Sequence, residues 1–198
     1  MINPNSFPIS VGLNLYNSNG QLSTVAPFTI GPKAQQHMYV NQFIGNEQVG
    51  HVEIISASEM ITNSMVYEGI TGGGTFLTMY GLQALPFTPN TFSNSYNRFL
   101  GIENILRLNN LTDQDVIFSV NVTSVFAQAP GALQSFSIPA RTSGDLNLND
   151  VGLFGTADNT YGSVSVNTAN QNSLQAYVLR RHSSSNGVPD FAAPVLSQ

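Results

Sequence analysis

The chain has 198 residues and a formal net charge of -5, and only 9% of its residues are charged, against about 25% in an ordinary soluble domain. One lysine and five arginines cannot build the clustered basic surface that displaces counterions from nucleic acid, so nucleic acid is excluded as a partner. With no cysteine there is no disulfide, thiol nucleophile or thiolate metal site, and no stretch reaches the roughly 18 apolar residues that insert into a bilayer as a helix.

Asn, Gln, Ser, Thr, Gly and Tyr must therefore cover the surface. Such a composition is expected of secreted, cell-surface or virion proteins. The opening MINPNSFP has neither the basic nor the apolar region of an export signal, so an extracellular or cell-surface location would rely on a signal not present in this chain.

Taken in chain order, the first alternating run is SVGLNLY at residues 10–16, closed by the turn signal Asn19-Gly20. Phe28-Thr29-Ile30 with Pro32, then Gln42-Phe43-Ile44-Gly45, lead to HVEI at 51–54 and Ser64-Met65-Val66-Tyr67. Gly72-Gly73-Gly74 reads as a turn, and residues 84–87 and 97–106 read as strands that open a second series. VIFSVNV at 116–122, Phe136-Ser137-Ile138 with Pro139, Gly152-Leu153-Phe154-Gly155, SVSV at 163–166 and Ala176-Tyr177-Val178-Leu179 follow, with turns at Pro130-Gly131 and Asn186-Gly187. No segment sustains a helical period, so the fold class is all-β.

The two series match each other. Phe28 precedes Phe136 by 108 residues, Gln42 precedes Gly152 by 110, and both His51 and Ser64 precede their partners Ser163 and Ala176 by 112. The loop from Asn3 feeds the first alternating strand as the loop from Asn109 feeds its counterpart. Conserved order with a slowly drifting offset is expected of tandem duplication. The expected organisation is two tandem antiparallel β-sandwich domains, 1–82 and 83–198. The first lacks the opening strand that 97–106 supplies to the second. Residues 190–196 resemble 82–87 and read as the opening segment of a further repeat or as an exchanged strand. Two readings stay open: a first sandwich that closes with fewer strands, or a vacant strand slot filled by an extended segment of a neighbouring copy. In the second case Phe191, Pro194, Val195 and Leu196 are the assembly residues.

This succession of alternating strand, Asn-Gly turn, Phe-x-Ile, Gly-x-Val and Met-Val-Tyr resembles the immunoglobulin-like or fibronectin-III-like β-sandwich repeats of bacterial secreted and surface proteins. The resemblance implies non-enzymatic spacers, adhesion modules or assembly units with Greek-key connections. The chain departs from the antibody pattern in having neither a cysteine pair nor tryptophan.

Chemistry-bearing candidates are few. There is no Gly-x-Ser-x-Gly elbow for a serine nucleophile. His37 and His51 read as strand residues, and His51 shares a face with Glu53, two members of the smallest conceivable metal set. Asp113 with Asp115, and Asn149 with Asp150, place oxygens as calcium loops do, although such clusters are commonly turn formers. Tyr80, Tyr96, Asn94 and Asn97 supply the rings and amides of a sugar site. Asn110 and Asn121 begin glycosylation sequons.

The expected function is a non-enzymatic structural subunit of an extracellular or surface assembly, needing no cofactor and self-associating through strand edges as a homo-oligomer or polymer. The alternatives are a virion structural protein and a carbohydrate-binding adhesin module with a glycan partner.

Overall fold

The computed structural model describes residues 1–45, 49–69, 76–85, 88–125, 133–183 and 189–195. The turns expected at Gly72-Gly73-Gly74, Pro130-Gly131 and Asn186-Gly187 lie outside them, as does Leu196.

The described residues form thirteen strands, two four-residue α-helices and one 3-10 turn. Strand β1 (Ile9–Asn17) carries Ile9, Val11, Leu13 and Leu15 on one face, all at most 3% exposed, while Ser10, Gly12 and Asn14 face outward. Alternation at period two puts every apolar side chain on one side of the sheet. β2 (Leu22–Ile30) pairs with β1 antiparallel after a turn whose Gly20 takes a positive φ of 77°. Helix α1 (Asn41–Ile44) follows, and β3 (Gly50–Ser56) returns along the other side of β1 to give the sheet order β2-β1-β3. Its inner face packs on Ala34, Met38, Val40 and Ile44 of the crossing segment.

The second unit repeats this plan with more strands. β6 (Thr91–Asn97), β8 (Val116–Ser124), β9 (Leu133–Ile138) and β11 (Tyr161–Thr168) form the sheet β6-β11-β8-β9. β7 (Glu103–Asn110), β10 (Ser143–Asn147), β12 (Leu174–Ser183) and β13 (Pro189–Val195) form the facing sheet β10-β7-β12-β13. Between them lies a core of Phe92, Tyr96, Leu106, Leu108, Phe118, Val120, Val164, Val166, Ala176 and Val178. Helix α2 (Val151–Phe154) stands where α1 stands in the first unit, capped by the Asp150 side chain accepting from the Leu153 N–H. The expected all-β fold built of antiparallel sheets is the one observed; the second unit is a two-sheet sandwich, and the first contributes the three-stranded sheet β2-β1-β3.

Details of the match differ from the sequence alignment. Asn3 corresponds to Asn110 rather than to Asn109, because the two make the same buried hydrogen bonds. The Asn3 amide donates to the carbonyls of Phe7, Ile30 and Gly31, and its oxygen accepts from the Asn5 N–H. The Asn110 amide donates to Gln114, Ile138 and Pro139, and its oxygen accepts from the Thr112 N–H. Each asparagine thus ties the loop before one strand to the end of the next. Gly50 and Gly162 also match: a Cβ on either would stand 1.9 Å from a backbone oxygen of the neighbouring strand, that of Tyr16 or of Thr123.

The stretch 97–106, expected as one strand, is split. β6 ends at Asn97, a 3-10 turn at Phe99–Gly101 intervenes, and β7 begins at Glu103. The Asn104 side chain holds this corner, accepting from the Asn97 N–H and donating to the Asn97 carbonyl. Residues 190–196 are corrected too. Through Val195 they belong to β13, which pairs with β12 of its own sheet, Leu179 opposite Pro194 and Val178 opposite Val195. They close the second unit instead of opening another.

The hairpin of β4 (Asn63–Gly69) and β5 (Phe76–Gln83) forms a third layer. Val66, Tyr80 and Leu82 pack on Ile105, Tyr177, Leu179 and Ala192, the outer face of the second unit. β12 is therefore buried on both faces, which explains its nearly unbroken apolar run from Ala176 to Leu179.

Candidate functional site

The residues nominated from sequence do not assemble into binding sites. Tyr96 is 1% exposed inside the second core, and Tyr80 is 4% exposed on the inner face of the hairpin with its hydroxyl accepting from Arg107 at 3.3 Å. A sugar platform needs an open ring face, so neither ring provides one. Asn97 turns its oxygen to the Phe99 N–H, and Asn94 is half-buried on β6. The oxygen donors proposed for calcium serve turns. Asp113 binds the Arg141 guanidinium at 2.7 Å, Asp115 accepts from the Ala140 N–H, Asn149 accepts from the Asn104 N–H and Asp150 caps α2. His37 is exposed and lies outside any strand, whereas His51 is buried on β3. Among the described residues no three His, Asp or Glu side chains come together around a metal position. Asn110 is fully buried with its amide donating three hydrogen bonds, so its sequon is closed in the folded chain.

Two features stand out instead. One is the junction between the units. The turn residue Arg141, at φ 56°, is held by its N–H on the Thr112 carbonyl and by Asp113, and sends its guanidinium across to the Tyr16 ring, 5.0 Å from the centroid. Tyr16 stacks on His51 of the paired strand at 4.8 Å and 16°. Glu53 lies two residues along β3 and accepts from the Asn14 amide at 3.0 Å. Alongside, the Ser143 N–H donates to the Ser18 carbonyl. His51 is 7% exposed, and neither ring nitrogen has a hydrogen-bond partner. Burial, reinforced by the Arg141 charge and only partly offset by Glu53, lowers its pKa from 6.5 to about 4. The ring is thus a neutral packing surface at ordinary pH. Sequence reading missed this cluster because its members meet only through the β1–β3 register and the docking of the second unit.

The other is the free side of β3. In the second unit β11 is flanked by β8 and β6. In the first, β3 has among the described residues only β1 as a ladder partner. Val52 and Ile54 stand opposite Leu15 and Leu13, as Val164 and Val166 stand opposite Val122 and Val120. Val164 and Val166 are 1% and 2% exposed, but Val52 is 39% exposed, and Val49 and Ile55 beside it are 38% and 54% exposed. At the position that β7 holds between β10 and β12, the described residues of the first unit place Ile2, bridged to Gln35 and Ile61.

No family model matches the chain, and no curated protein matches it. Among solved structures, one described as Anabaena sensory rhodopsin transducer aligns at 13% identity with a TM-score of 0.39, covering 48% of this chain and 99% of that one. A likeness of that size carries no argument about function.

Proposed function

We propose that the protein is a non-enzymatic structural subunit of an extracellular or surface assembly, self-associating through strand edges. The observation that carries this reading is the side of β3 that no strand among the described residues occupies, where the matching side of β11 is occupied by β6. An edge strand with free N–H and C=O groups and an apolar margin is a template for another strand. Sparse charge supports the same reading, since subunits with 9% charged residues repel one another weakly. The glycan-binding alternative loses its support with the burial of Tyr80 and Tyr96.

The test is sedimentation velocity over a concentration series at low and high salt, with negative-stain microscopy of the same samples. Concentration-dependent oligomers that vary little with salt are expected. A monomer at every concentration would overturn the reading.

A further inference from the structure

We propose that β3 pairs antiparallel with the β3 of a second copy about a two-fold axis through Val52. This rests on the self-association reading above and names its edge, register and symmetry.

The hydrogen-bonding parity of the edge follows from the second unit. There the Arg98 N–H donates to the Thr160 carbonyl and the Thr168 N–H to the Asn90 carbonyl, whereas the Val125 N–H donates to the Tyr161 carbonyl. Even-numbered residues of β11 address β6, and odd-numbered ones address β8. The register maps Val52 and Ile54 onto Val164 and Val166, so parity is kept. Gly50, Val52 and Ile54 therefore direct their N–H and C=O groups to the free side. Nothing in the β1 ladder has to break for a second strand to add.

The sequence of this edge is self-complementary in one register. With Val52 opposite Val52 of the other copy, Gly50 faces Ile54. On the outer face Glu53 falls opposite His51, and Val49 opposite Ile55. The exposed apolar residues Val49, Val52 and Ile55 are then matched with apolar neighbours. Centring on Glu53 would set two carboxylates directly opposite each other, which is destabilising in a ladder. Centring on Ile54 would oppose Glu53 to Ile55 and Val52 to Ser56. The symmetric pairing supplies about six backbone hydrogen bonds and extends the sheet to β2-β1-β3-β3-β1-β2. So short a ladder buries less than a standard interface, and a reversible dimer in the micromolar range is expected.

The chain has no native cysteine, which allows a direct test on the full protein. Opposed residues of a hydrogen-bonded antiparallel pair have Cα atoms about 5.5 Å apart, within disulfide range. Val52→Cys should give a covalent dimer under mild oxidation. Ile54→Cys should not, because its symmetry mate lies ~14 Å along the strands. Val52→Lys should raise the dimer dissociation constant at least tenfold, and Val52→Pro, which removes an edge N–H, should do the same. Oligomers that persist in Val52→Lys and show no cross-link at residue 52 would overturn the β3 pairing while leaving self-association standing. A wild-type protein that is monomeric throughout would overturn both.

Discussion

Acidification tests the junction through His51. In the unfolded chain this imidazole titrates near 6.5, and in the folded protein burial beside Arg141 holds it to about 4. Between those values the unfolded state binds a proton that the folded state refuses, so stability falls as pH falls. The contribution is complete above about 6.5 and lost by about 4. A gap of about 2.5 pH units at about 1.4 kcal/mol each is about 3 kcal/mol, a large part of a typical domain's stability. The ring is 7% exposed, so solvent screening takes little from that figure. His51→Phe keeps an aromatic ring against Tyr16 but cannot titrate. Urea unfolding from pH 7.5 to 4 should show the wild type losing about 3 kcal/mol more than this variant. Subtracting one curve from the other removes the titration common to both proteins. Parallel curves, or an NMR titration of His51 near 6.5, would refute the reasoning.

Three further outcomes are expected. Asn110→Ala removes three donated hydrogen bonds, one to the buried Ile138 carbonyl, and should cost ~3–5 kcal/mol in chemical denaturation; Asn3→Ala should lower the stability of the first unit in the same way. Gly162→Ala sets a Cβ 1.9 Å from the Thr123 oxygen, a backbone atom that cannot turn aside, so a loss above ~2 kcal/mol is expected by the same measurement. Tyr96→Ala opens a cavity in the second core and should cost ~3–5 kcal/mol; a glycan array read with this variant would therefore report unfolding unless near-UV circular dichroism first shows native packing.

Much of the candidate surface was legible in part. The alternation in 10–16 and 116–122 identified both central strands, since burial on one face demands period two whatever the neighbours are. What could not be read was which segment lies beside which. Residues 190–195 look alike as a free strand or a paired one, and only the β12 ladder shows that they close their own sheet. His51 looked like a polar strand residue until the register placed Tyr16 across from it and the second unit set Arg141 above.

The sequence by itself determined an all-β chain with a duplicated plan, a turn at Asn19-Gly20 where glycine allows a positive φ, and a surface with few charges. These follow from local periodicity and backbone preference, which operate within a few residues. Tertiary structure alone decided that Asn3 pairs in role with Asn110, that the β4–β5 hairpin buries Tyr80 against β12, and that β3 pairs among the described residues with β1 alone. Each of these depends on groups distant in the chain brought within hydrogen-bond or van der Waals range, and such contacts leave no periodic trace in the order of residues.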